Sequence, residues 1–174
     1  MAKLMPGVTG PLGYFDPLGF AKDLNPSELR LRRESELAHG RVAMVAALGF
    51  LVQESFHPIF PLIDGPAIKQ LTEITYFPDG QSAFFAMSLA IGFAEIARAR
   101  IGWVNPEDFQ EGTPRLLEDY QPGDLNFDPL GLKPKDEAGL LAMQNKELNN
   151  GRLAMLAVAG MMAQELVTDN GLFA

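Results

Sequence analysis

The 174-residue chain has no cysteine, two histidines and one tryptophan. Without cysteine there is no disulfide, thiolate zinc site, iron–sulfur cluster or thiolate nucleophile, and no bilin or haem tethered through a thioether. His39 and His57 cannot supply paired axial ligands to a haem, because His57 stands at a helix end before Pro58. Positive charge is scarce: 14 Lys and Arg against 22 Asp and Glu give a net charge of −8. That balance leaves no basic footprint for nucleic acid. No phosphate-binding Gly loop follows a strand pattern and Ser35 sits in no nucleophile elbow, so an enzyme acting on a soluble substrate is the least expected class. No unbroken apolar stretch reaches the roughly 20 residues of a membrane span.

What is present is three shorter apolar runs, residues 42–52, 83–94 and 153–163, separated by Pro- and Gly-rich connections in a chain whose length suits one domain over 1–174. Runs this short fit the core helices of a soluble protein about as well as membrane segments. No proline interrupts 27–57, 80–105 or 135–174, however, so each run extends as helix. Residues 36–54 would reach about 28 Å against a bilayer core of about 30 Å. Asn25-Pro26-Ser27-Glu28 predicts the start of the first helix, with Asn25 as cap and Pro26 in the first turn, and Pro58 predicts its stop. Lys and Arg fall six in residues 1–41, one (Lys69) after the first run, six in 96–146 and none after Arg152. That alternation is the positive-inside pattern for three spans, at approximately 34–57, 80–101 and 138–167. It puts the N-terminus on the cytoplasm-equivalent side and the C-terminus opposite. Residues 66–74, with Ile68, Leu71 and Ile74 at helical spacing, read as a short amphipathic helix on the membrane surface or as an exposed connector. The first twenty residues carry one Lys and no Arg, unlike a transit peptide, so for a protein that enters an organelle the expectation is that this sequence is the processed form.

The chain repeats itself. Phe15-Asp16-Pro17-Leu18-Gly19 returns as Phe127-Asp128-Pro129-Leu130-Gly131 at an offset of 112, and residues 36–54 align with 147–165 at an offset of 111 with ten of 19 positions identical. The repeats, 15–54 and 127–165, each lead into an outer run. With one span between them both cross in the same direction, which implies a pseudo-two-fold axis along the membrane normal rather than an inverted repeat.

Polar residues sit at equivalent places in both copies: Glu36, His39 and Arg41 at the mouth of the first span, Glu147, Asn150 and Arg152 at the mouth of the third. Charges in a membrane are paired or functional. Glu36 and Arg41 are five residues apart and face different ways, so each needs a partner elsewhere. A helix crossing near Gly40 and Gly151 would let Glu36 meet Arg152 and Glu147 meet Arg41. Magnesium in a chlorin ring already has four nitrogen ligands and needs one further N or O donor; neutral His, Asn or Gln, or an Arg-neutralised Glu, suits it. Glu36, His39, Gln53, Glu95, Glu147, Asn150 and Gln164 are such donors on apolar helices.

At these residues the chain resembles the chlorophyll-binding light-harvesting antenna family of plastids, over nearly its whole length. The carriers are the paired motifs Glu36/His39/Arg41 and Glu147/Asn150/Arg152 and the two Phe-Asp-Pro-Leu-Gly segments. The resemblance implies an all-α membrane protein in which the first and third of three transmembrane helices cross, with carotenoids in the grooves between them. It further implies chlorophyll ligation by Glu36, His39, Glu95, Glu147, Asn150 and Gln164, with Arg41, Arg152 and Arg98 as charge partners. Asp16, Pro17 and Leu18, with Asp128, Pro129 and Leu130, would hold carotenoid end groups. Gln53 joins the ligands through the internal repeat alone, and Gln81 as a polar donor at the lumenal end of the middle span. Short loops and a short tail look like the chlorophyll a/c antennae of secondary-plastid algae, which implies chlorophyll a, chlorophyll c and carotenoids of the fucoxanthin or peridinin and diadinoxanthin types. In the plant form a Gln ligand precedes the middle-helix Glu by two turns; here Met87 stands there, and the plant form's C-terminal helix with its His ligand is missing.

The function so implied is a thylakoid antenna, N-terminus stromal and C-terminus lumenal, that passes excitation to a photosystem core beside other antenna subunits and thylakoid lipids. A dissipative member of the family is the near rival, with Asp64, Glu73 and Asp79 as lumenal acids. The rival from another class is a small membrane carrier using Glu36, Arg41, Glu147 and Arg152 as a substrate or proton path.

Overall fold

A computed structural model describes residues 5–56, 58, 65–108 and 114–173; His57 and Asp64 lie outside them. The described chain holds four α-helices, α1 (Pro26–Gln53), α2 (Ala67–Ile74), α3 (Pro78–Gly102) and α4 (Glu137–Thr168), and a 3₁₀ turn at Pro106–Asp108. It contains no β-strand, only isolated bridges from Thr9 to Gly13 and from Trp103 to Leu116.

The helix boundaries follow from local chemistry. Asn25 Oδ1 accepts the Glu28 backbone N–H at 2.9 Å, while Glu28 Oε2 accepts the Asn25 N–H at 2.8 Å, a reciprocal capping box with Pro26 in the first turn. Asp136 caps α4 from one side only, its Oδ2 accepting the Gly139 N–H at 2.7 Å. That helix ends where Asp169 turns left-handed, φ 58°. α1 closes at Gln53, several residues before the stop expected at Pro58, because the Ser55 and Phe56 N–H groups both turn back onto Val52 O.

α1 and α3 are long and apolar enough to cross a membrane, with a mean hydropathy of 1.3 over their best 18 residues. Within α3 none of that apolar window is buried; Phe85 and Phe93 are 64% and 70% exposed. A helix apolar all round with no side chain in a core needs a non-aqueous neighbour, lipid or another apolar body. α4, at 32 residues, is about 48 Å long; four of its five charges, Glu137, Lys146, Glu147 and Arg152, gather in its first half, and Glu165 stands in the second.

Contacts divide the chain into two units, Met1–Gly40 with Ala97–Arg152 and Arg41–Ile96 with Leu153–Ala174. The first is centred on buried Leu37, Tyr120 and Leu148. There α1 and α4 meet backbone to backbone: a Cβ added to Gly40 would lie 3.0 Å from Gly151 Cα, and one added to Gly151 2.9 Å from Gly40 Cα. In the second unit Ala43, Ala67 and Ala154 are buried, and Glu165 is fully buried.

Candidate functional site

The two Phe-Asp-Pro-Leu-Gly segments fold alike, bond for bond. Asp16 accepts the N–H groups of Phe20 and Ala21, each at 2.9 Å, and Asp128 accepts those of Leu132 and Lys133, also at 2.9 Å. The glycine closing each motif takes a positive φ, 69° at Gly19 and 64° at Gly131, which lets its N–H return to the Asp carbonyl oxygen at 3.3 Å. These bonds hold both carboxylates below the usual aspartate range, Asp16 chiefly through the Ala21 N–H and Asp128 chiefly through that of Lys133. A depressed carboxyl stabilises the fold at pH above its unfolded value, and that contribution disappears as pH falls through the folded one. Both turns therefore persist into pH at which an ordinary carboxylate is already protonated. With the carboxylates turned inward, the surface each turn offers is apolar: Leu18 and Leu130 are 74% and 78% exposed.

The charge cluster lies in the first unit where Gly40 meets Gly151. Glu36 Oε1 accepts from Arg152 Nε at 2.7 Å, the pairing that the repeat predicts. Its other oxygen accepts from Arg33 Nη1 at 2.6 Å, a partner the repeat does not predict, and Arg152 Nη1 donates to Gly7 O at 2.7 Å. Each Glu36 oxygen keeps one lone pair beyond these bonds, and the side chain is 29% exposed. Glu147 and Arg41, the other expected pair, fall in different units.

His39 and Asn150 occupy equivalent positions, 111 residues apart, and both are exposed. His39 Nδ1 lies 2.8 Å from Ser35 O. A carbonyl oxygen only accepts, so the proton is on Nδ1 and the lone pair on Nε2 points outward. One turn on, Val42 and Leu153 are exposed apolar side chains, so each donor stands above an apolar seat.

Of the remaining candidates, Gln53 Nε2 donates to Ala67 O at 3.1 Å and Gln81 Nε2 to Thr75 O at 2.9 Å, so each amide is held by a nearby backbone carbonyl. Gln164 is exposed on α4, and Glu95 and Arg98 lie one turn apart on α3 with exposed Met87 two turns before Glu95. Glu73 is half-buried in α2 and Asp79 exposed in the first turn of α3. Among the described residues no group of three or more His, Asp or Glu is placed to hold a metal ion. A metal here would need most of its donors from another molecule, which is what a ring-held magnesium brings.

Four further residues, absent from the sequence expectations, tie the loops down in a repeated way. Buried Glu34 on α1 accepts from Gly123 N–H at 2.7 Å and from Tyr120 O–H at 3.0 Å. Its equivalent on α4, Asn145, accepts from Gly7 N–H at 2.6 Å. So the loop leading into each helix hooks onto the other helix. In the second unit Glu165 on α4 accepts from Ile68 N–H at 2.8 Å, and Glu54 after α1 accepts from Leu172 N–H at 2.7 Å. There the segment following each helix hooks onto the other. The identity of Glu54 and Glu165 at the repeat offset is a signal that could have pointed to this; Glu34 and Asn145 differ and give none.

The description "Chlorophyll A-B binding protein" belongs to a family that matches residues 1–166. The chain belongs to the chlorophyll a-b binding protein family. It is 49% identical over 168 residues to "Fucoxanthin-chlorophyll a-c binding protein, chloroplastic" of Isochrysis galbana, covering 95% of this chain and 78% of that one. It is also 49% identical over 179 residues to "Light-harvesting complex stress-related protein 3.2, chloroplastic" of Chlamydomonas reinhardtii, covering 98% of this chain and 66% of that relative. Identity to "Chlorophyll a-b binding protein 7, chloroplastic" of Solanum lycopersicum is 36%, over 90% of this chain and 59% of that one. Membership in this light-harvesting, chlorophyll-binding family agrees with the class of protein that the paired motifs indicated.

Proposed function

We propose that this chain is a thylakoid light-harvesting antenna of the chlorophyll a/c type, binding chlorophyll a, chlorophyll c and carotenoids and feeding a photosystem alongside other antenna subunits. Bound chlorophyll and carotenoid supply the light absorption and the dipolar transfer of excitation. The chain's own residues set where the pigments sit. The observation that carries the reading is the outward-facing Nε2 of His39 and its repeat-related Asn150, each above an exposed apolar seat on a helix at the Gly40–Gly151 contact. The Ser35 carbonyl fixes the tautomer and orientation of His39, as outer-shell groups do for metal-bound imidazoles. Arg152 and Arg33 neutralise Glu36, which suits its remaining lone pairs to an uncharged ring's magnesium. Glu147, Glu95 with Arg98 one turn on, and the side-chain amides of Gln164, Gln53 and Gln81 complete the ligand set. The exposed apolar faces of the two Asp-Pro-Leu-Gly turns receive carotenoid ends.

In this reading α4 crosses the membrane as a third span, α1 and α4 are pseudo-two-fold partners, and the chain acts as one pigment-binding domain. The cation pattern supports a stromal N-terminus and a lumenal C-terminus, and the chloroplastic relatives support the plastid. A second reading, dissipation of excitation under stress, is favoured by the 49% identity to a light-harvesting complex stress-related protein.

His39→Leu should remove one chlorophyll per protein and leave the helix content unchanged, because the ring's hydrogen-bonding neighbours among the described residues, Ser35 O and Ser35 Oγ, belong to its own helix. Pigment extraction with circular dichroism on the purified complex checks this. Unaltered chlorophyll stoichiometry would show that His39 only caps its own turn.

A further inference from the structure

Two cavities flank the Asp-Pro-Leu-Gly turns in the first unit, one of about 510 Å³ and one of about 790 Å³. They are built from equivalent positions. Leu29 and Glu36 on α1 and Asp16 on the first turn line the smaller; Leu140 and Glu147 on α4 and Asp128 on the second turn line the larger. On the helix wall between those shared positions the equivalence breaks. Arg32 lines the first cavity where Met143 lines the second, and Arg33, which borders both, stands at the place of Gln144.

Hydrogen bonding inside each cavity sharpens the difference. In the smaller one the carboxylates are already used, Asp16 by Phe20 and Ala21 and Glu36 by Arg33 and Arg152. Donors are left over: the exposed Arg32 guanidinium makes no hydrogen bond or ion pair among the described residues, and Arg33 Nε is buried without a partner. In the larger cavity the cations that it does not share with the smaller one are the spent groups. Arg30 donates to the carbonyls of Leu117 and Tyr120, and Lys133 pairs with Asp124. Glu118 and Asp119 on its rim make no bond among the described residues, so acceptors are left over there.

The geometry points to a division between the two cavities: the smaller takes a carotenoid end group whose oxygen only accepts a hydrogen bond, a ketone, ester or epoxide, the larger takes a hydroxyl end group, and Arg32 sets the difference. This rests on the carotenoid-binding reading above. A carbonyl oxygen facing Arg32 gains a charge-assisted bond. The same oxygen facing free carboxylates meets acceptor against acceptor, with nothing to donate, whereas a hydroxyl donates to them.

Refolding the full chain with chlorophyll a and an equimolar mixture of zeaxanthin, which ends in hydroxyls, and canthaxanthin, which ends in ketones, tests the division. Pigments in the purified complex are counted by chromatography. The unaltered chain should hold comparable amounts of both. Arg32→Met, which copies the residue at the equivalent place in the other cavity, should lower canthaxanthin about fivefold with chlorophyll and zeaxanthin retained, the scale of one solvent-exposed charge-assisted bond. Arg32→Lys should keep it, and Met143→Arg should raise it. A wild-type carotenoid ratio in Arg32→Met overturns the division while leaving the antenna reading in place. Chlorophyll-bearing protein with no carotenoid in any variant overturns both.

Discussion

Gly40→Leu should abolish assembly of the pigmented protein, the largest effect expected of any single substitution in the chain. A Cβ at this position would stand 3.0 Å from Gly151 Cα and 3.6 Å from its carbonyl carbon. The obstacle is backbone, so no side chain can swing aside. Overpacking a core usually costs about 1–3 kcal/mol because neighbours shift by small amounts; here two helices would have to separate, carrying Glu36 away from Arg152. Gly151→Leu should do the same, since its own Cβ would fall 2.9 Å from Gly40 Cα. Gly49→Ala serves as the control. Among the described residues a Cβ at Gly49 would meet Gln53 Oε1 alone, at an ordinary contact distance of 3.8 Å, and assembly should be unaffected. Yield of pigmented complex after refolding, compared across the three variants, measures the difference.

Arg152→Leu should come second. Arg152 joins Glu36 and the Gly7 carbonyl, so its loss removes two charge-assisted hydrogen bonds that tie α4 to α1 and to the N-terminal loop. Breaking a buried ion pair from one side costs about 3–5 kcal/mol. Glu36 and Arg152 are 29% and 39% exposed, and Arg33 stays on Glu36, so the expected loss is nearer 2 kcal/mol, the scale of a hydrogen bond to a charged group. The thermal midpoint of the pigmented complex should fall by several degrees, and Arg152→Lys should restore only part of it, because Nε and Nη1 reach two different acceptors. A midpoint unchanged in Arg152→Leu would mean that Arg33 alone suffices for Glu36.

Sequence made much of this legible where the information is local or repeated. The cap at Asn25 and the short helix after the first run depend on a few neighbouring residues, and the structure places them within a residue or two of expectation. The Glu36–Arg152 pair, 116 residues apart, was legible only because the internal repeat supplied a two-fold relation. What stayed hidden lacks a period. Arg33 competes for Glu36 from within α1, and nothing in the spacing says which of two arginines wins. The hooks from Glu34 to Gly123 and from Asn145 to Gly7 pair a side chain with a distant backbone N–H, a group every residue but proline carries, so sequence cannot name the partner. The aspartates of the two turns show a similar limit. The motif marks the place, yet both carboxylates turn out to be spent on their own loops, and the faces left to a ligand belong to the flanking apolar residues.

The fluorescence excitation spectrum of the purified protein, recorded at chlorophyll a emission, tests the antenna account most directly. In the proposed reading, two helices in backbone contact with pigment ligands at equivalent places would hold pigments at the short spacings that dipolar transfer requires. The account predicts a clear carotenoid band in that spectrum, tracking the carotenoid absorption. A colourless protein, or one whose carotenoid absorption is absent from the excitation spectrum, would contradict it.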